Sequence, residues 1–159
     1  MKLLSAFIPI VVCLLMAMPL PVFGEEVESP LQSLLGTRSL RCSFSLVMQA
    51  DWKSGKLKNS IDKEEDFILH FDSIDPRQGK ARLMGNEGAT DVVVIPSVSG
   101  LNFLEETPSG NINFTTIFQS FKGNSSDYIA VTSRHLLFPG LGGRYPFPSQ
   151  HHGTCKIWQ

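Results

Sequence analysis

Between Cys42 and Trp158 the chain repeatedly alternates apolar and polar residues with a period of two, in short runs separated by turn residues. Successive residues of a strand point to opposite faces, so this period describes half-buried β-structure. In CSFSLVM (42–48), Cys42, Phe44, Leu46 and Met48 share a face opposite Ser43 and Ser45. In FILHF (67–71), Phe67, Leu69 and Phe71 alternate with Ile68 and His70, which places His70 on the solvated side. KARLMG (80–85) reads as a short strand, and DVVVI (91–95) as a strand covered on both faces. LNFLE (101–105) carries Phe103. NINFTTIF (111–118) puts Ile112, Phe114, Thr116 and Phe118 on one face. DYIAVTSRH (127–135) does the same for Ile129, Val131, Ser133 and His135.

Turn chemistry separates these runs: DWKSG (51–55), DPRQG (75–79), NEG (86–88), TPSG (107–110) and KGNSS (122–126). The acidic stretch 56–66 reads as a weak strand or a loop. FPGLGGRYPFPSQ (138–150) is dense in proline and glycine and reads as a loop leading into the last strand. Eight or nine short strands with no long helix between them define an all-β fold, an antiparallel up-and-down barrel or a sandwich of about eight strands. The barrel is preferred.

Ahead of the strands, Lys2 precedes an apolar run, and Pro19, Pro21 and the small residue Gly24 follow it. This is the pattern of a secretory signal peptide over 1–24. The expected mature chain is then 25–159, or 159 less 24, which is 135 residues. Residues 25–40 form a lead containing a short helix, SPLQSLLG (29–36), capped by Ser29, opened by Pro30 and ended at Gly36. Residues 41–159 form a single β domain. Without Lys2, the 14 basic residues become 13 against 15 acidic ones. That balance supplies no field for nucleic acid, and the mature chain has no second long apolar run to hold it in a membrane.

Once Cys13 leaves with the leader, Cys42 and Cys155 remain, and an even count in an exported chain reads as a disulfide. The bond would fasten the first strand to the last. A metal site in HHGTC (151–155) is the weaker alternative. His151 and His152 diverge on a strand, and His151 lies about 13 Å from Cys155 at about 3.3 Å per residue.

Enzyme motifs are absent or incomplete. Ser60 and Lys63 match Ser-x-x-Lys without its companion motifs. There is no Gly-x-Ser-x-Gly or His-Glu-x-x-His, and Gly140, Gly142 and Gly143 do not make a phosphate loop. Asp62, Glu64, Glu65 and Asp66 lack the spacing of a calcium loop and read, like Glu105 and Glu106, as solvated charge. Asn113 and Asn124 head glycosylation sequons. No catalytic residue, metal or cofactor is assigned.

The stretches FILHFDSID (67–75), ARLMGNEGATDVVVI (81–95), LNFLEETPSGNINFTT (101–116), IAVTSRH (129–135) and PFPSQHHGTCKIW (146–158) resemble a family of small exported bacterial proteins with no assigned activity. The resemblance implies a periplasmic or extracellular setting and supplies no site residues.

The expected function is binding rather than catalysis. The chain holds 11 Phe against 2 Tyr and 2 Trp, an inert interior that could accept a small apolar ligand inside a barrel. Candidate lining residues are Phe44, Leu46, Met48, Phe67, Leu69, Phe71, Phe103, Phe114, Phe118 and His135. The alternative is a solid core, with the protein acting as an envelope or assembly partner through its surface or through 138–150. A hydrolase or metal enzyme is the least favoured reading.

Overall fold

The computed structural model describes residues 28–158 apart from 54, 86–87, 123–125 and 141–142, and leaves out the side chains of 53, 64–66, 138–140 and 143–145. The leader assigned to 1–24 and the Asn124 sequon lie outside the described residues. One short helix, α1 (Pro30–Gly36), precedes eight strands: β1 (Leu40–Lys53), β2 (Lys56–Asp75), β3 (Lys80–Gly85), β4 (Gly88–Ser97), β5 (Gly100–Glu106), β6 (Ile112–Phe121), β7 (Tyr128–Gly140) and β8 (Gly143–Ile157). Each strand pairs with the next in sequence, and β8 pairs back onto β1, closing an antiparallel up-and-down barrel.

The helix forms as its sequence dictates. Ser29 Oγ accepts from the Gln32 N–H at 3.2 Å and Gln32 Oε1 accepts from the Ser29 N–H at 3.0 Å, a reciprocal capping box, with Pro30 at the first helical position. Seven residues cannot hold a helix in water. Leu34 therefore docks, fully buried, into the barrel core, and the Tyr128 hydroxyl donates to the Pro30 carbonyl at 3.1 Å. The helix thus closes one end of the barrel. At that end Cys42 and Cys155, directly paired across β1 and β8, are disulfide-bonded. Such a bond is compatible with an oxidising location outside the cytosol.

Turn chemistry placed most of the hairpins correctly. Asp75 Oδ1 accepts from the N–H groups of Arg77 and Gln78, shaping the β2–β3 turn. The Gly110 N–H donates to the Thr107 carbonyl in the β5–β6 turn. The segment 138–150 departs from expectation. It is the distal part of the β7–β8 hairpin, paired from His135↔Pro148 to Gly140↔Gly143. Pro146 and Pro148 lie two residues apart and so direct their nitrogens to the same side of β8. The pairing of β8 with β1 stops at Gln49↔Ser149, which leaves a side where a missing N–H costs no ladder bond. The 56–66 stretch is likewise strand, continuous with 67–75 as β2. The β1–β2 and β7–β8 hairpins consequently rise above the barrel at the end opposite α1.

Four corrections to strand facing follow from tertiary packing. The 91–95 run on β4 is covered on one face only, with Val92 and Val94 buried and Val93 and Ile95 exposed. A bulge between Phe44 and Leu46 shifts β1 by one residue, so Val47 is buried while Leu46 turns outward and Met48 is 40% exposed. On β6, Thr115 and Ile117 face inward, and Phe114 (38% exposed) and Phe118 lie on the outer face. On β7, Tyr128, Ala130 and Thr132 are buried, so Ile129, Val131, Ser133 and His135 face out. The phase of β7 is anchored by Tyr128 under α1, and β6 follows by register, with Ile117 opposite Ala130. Gly153 permits the tight closure of β8 on β1. A Cβ there would collide with the Ser43 carbonyl oxygen and lie 2.6 Å from Phe44 Cα.

Candidate ligand cavity

Cross-strand register arranges the inward side chains of β5 through β8 and β1 in layers. A layer toward the α1 end contains Leu101, Ile117, Ala130, Gly153 and Phe44. It is buried throughout apart from the half-buried Gly153. The next contains Phe103, Thr115, Thr132, His151 and Val47, and the outermost Glu105, Asn113, Arg134, Ser149 and Gln49. The interior therefore passes from wholly apolar to largely polar over two steps along the strands.

A cavity of about 700 Å³ opens toward the polar end, lined among others by the apolar Phe67, Leu69, Phe71, Leu83 and Phe103 and by the polar Glu105, Asn113, Thr115, Thr132 and Arg134. Its floor is rigid. The Phe71 and Phe103 rings stack with centroids 4.1 Å apart, and Phe67 sits 5.3 Å from Phe44 and 4.7 Å from the His151 ring. The wall is low on one side, because β4–β5 pairing ends at Val93↔Leu104 and β3 is only six residues long. Gly85 and Thr107 line the cavity at that lip.

The polar groups of the upper wall differ in how far they are satisfied. The Thr115 hydroxyl donates to Thr132 Oγ1 at 2.8 Å in a buried pair, which makes two inward threonines tolerable. His151, 3% exposed, shares a hydrogen bond of 3.1 Å between its Nε2 and Ser149 Oγ. Asn113 Nδ2 donates to Glu105 Oε2 at 2.6 Å, while the buried Asn113 Oδ1 has no partner among the described residues. The Arg134 guanidinium lies over the Phe67 ring, 5.5 Å from its centroid. Among the described residues it makes no ion pair or hydrogen bond. The Asn113 sequon is thus built into the barrel wall, with its amide engaged by Glu105.

Of the residues singled out from sequence, Phe67, Leu69, Phe71 and Phe103 line this cavity and Phe44 lies in the packed layer beneath it. Leu46, Met48, Phe114, Phe118 and His135 are on the outer face. His151 and His152 do diverge, His151 buried inside and His152 half-buried on the outer side of β8. No group of three metal-ligating side chains occurs among the described residues. Sequence reasoning missed Leu83, Glu105, Asn113, Thr115, Thr132 and Arg134. Thr132 and Arg134 share their parity with Tyr128 and Ala130, a signal masked by the more apolar opposite parity of Ile129 and Val131.

Barrel, terminal plug and open mouth together define a small β-barrel with a cavity open to solvent at one end. No protein-family model, curated protein or solved structure matches the chain. No helix among the described residues is long and apolar enough to cross a membrane.

Proposed function

We propose that this is an exported, non-catalytic binding protein that holds a small, largely apolar ligand inside its barrel. The observation that carries the reading is the cavity of about 700 Å³ floored by stacked phenylalanines. Ligand pockets span roughly 300–1,000 Å³ and combine apolar walls with a few placed polar groups. An eight-stranded barrel is just wide enough either to be filled by its own side chains or to hold one such molecule. Here the first outcome holds next to α1 and the second at the mouth. The disulfide and the leader pattern support export, and the resemblance supports a bacterial periplasmic or extracellular setting.

The test is titration with a neutral fluorescent apolar probe, N-phenyl-1-naphthylamine. The expected result is saturable enhancement at one site, weakened at least tenfold by Leu69→Trp, which fills the cavity. Absence of binding, or binding indifferent to that substitution, refutes the reading.

A second reading, a surface-acting assembly partner, draws on the outer arc of β4–β7, where Val93, Leu104 and Phe114 form one cross-strand row. Val93 and Phe114 are exposed there. Native mass spectrometry checks it: a monomer with a co-purifying small molecule favours the cavity, and a partner lost on Phe114→Ser favours the surface.

A further inference from the structure

We infer that the ligand is a small zwitterion with an apolar body, the chemistry of a hydrophobic amino acid or dipeptide. The inference rests on the cavity reading above and specifies its head group. Glu105, Asn113 and Arg134 are consecutive members of one inward row, on β5, β6 and β7. Neighbouring strands lie about 4.8 Å apart, so the two charged residues are separated by about 10 Å at the backbone. They form no ion pair with each other among the described contacts. The wall of the cavity therefore presents one cation and one anion, each directed at shared space.

Their hydrogen-bonding states point the same way. Guanidinium carries five N–H donors in a planar fork suited to a carboxylate, and among the described residues Arg134 uses none of them, resting on the Phe67 ring. Between the charges, Asn113 gives its amide to Glu105 and leaves a buried acceptor, Oδ1, open. Reversing that amide would set its oxygen against the carboxylate, so the free atom is the acceptor. A buried acceptor without a donor is costly, and a half-buried charge without a counter-charge is too. One ligand relieves all three: its carboxylate meets Arg134, and its ammonium donates to Asn113 Oδ1 and faces Glu105. A simple fatty acid would satisfy Arg134 but bring its negative charge near Glu105 and leave Oδ1 unmet. An apolar amine would do the reverse. Below the row, Phe71, Phe103 and Leu83 receive the apolar body.

The experiment is calorimetric titration of the full oxidised protein with phenylalanyl-phenylalanine, its methyl ester and its N-acetyl derivative, beside N-phenyl-1-naphthylamine. The dipeptide is expected to bind at least tenfold more tightly than either blocked form. Arg134→Met should erase its advantage over the ester while keeping that over the N-acetyl form, and Glu105→Gln should do the opposite. Equal binding of all three by the unmodified protein overturns the inference, as does a uniform loss in Arg134→Met. If only the neutral probe binds, the zwitterion is wrong and the cavity stands. If no compound binds, both readings fall.

Discussion

At the α1 end of the barrel, inward positions on β5–β8 and β1 hold Leu101, Ile117, Ala130, Gly153 and Phe44, all buried apart from the half-buried Gly153. Two steps along the same strands, the equivalent positions hold Glu105, Asn113, Arg134, Ser149 and Gln49, and the first three of them line a cavity of about 700 Å³. The backbone is the same closed ladder at both ends. What differs is which side chains fill it and what covers it. The plugged end is sealed by Leu34 of α1, by the hydroxyl of Tyr128 and by the disulfide, while the open end is left between two tall hairpins and a low β3–β4 wall. Stability concentrated at one end frees the other to keep unmatched polar groups, a division often seen between a scaffold and its binding site.

This contrast can be broken most sharply at the covalent staple. Replacing Cys42 and Cys155 together by alanine opens a link spanning a sequence separation of 113 residues, and should cost about 4 kcal/mol in chemical unfolding. Leu34→Ala, which removes the apolar plug, should cost about 3 kcal/mol in the same assay, because the side chain is wholly buried. Ser29→Ala removes one half of the capping box and should lower stability by about 1 kcal/mol, read as a shift in denaturant midpoint at unchanged slope. At the bottom of the scale, Phe114→Ser on the outer face should change stability by no more than about 0.5 kcal/mol. A loss as large as that for Leu34 would show that Phe114 packs inside, contrary to the facing described above.

The outer and inner faces of β6 and β7 show where reading the sequence fails. Ile112, Phe114 and Phe118 make the more apolar parity of β6, yet that parity faces out. Periodicity reports that a strand has two faces, and burial assigns them. The assignment here comes from Tyr128 beneath α1, which fixes Ala130, Thr132 and Arg134 inside, and from the Thr115–Thr132 hydrogen bond, which makes that choice affordable. On β1 the failure is a single residue: the bulge after Phe44 exchanges Val47 for Leu46 and Met48. At Phe67, Leu69, Phe71 and Phe103 the alternation located the interior correctly, although Phe67 and its partner Phe44 border the register shift between β1 and β2.

By itself, the order of residues settled the things that depend on near neighbours: strand periodicity, most turns, the Ser29 capping box, and the pairing of the two cysteines that remain in the expected mature chain. Closure into a barrel, the inward row of Glu105, Asn113 and Arg134, and the space beneath it were decided only in three dimensions. Each of those residues is drawn from a different strand, and their meeting depends on register and bulges that no local pattern encodes.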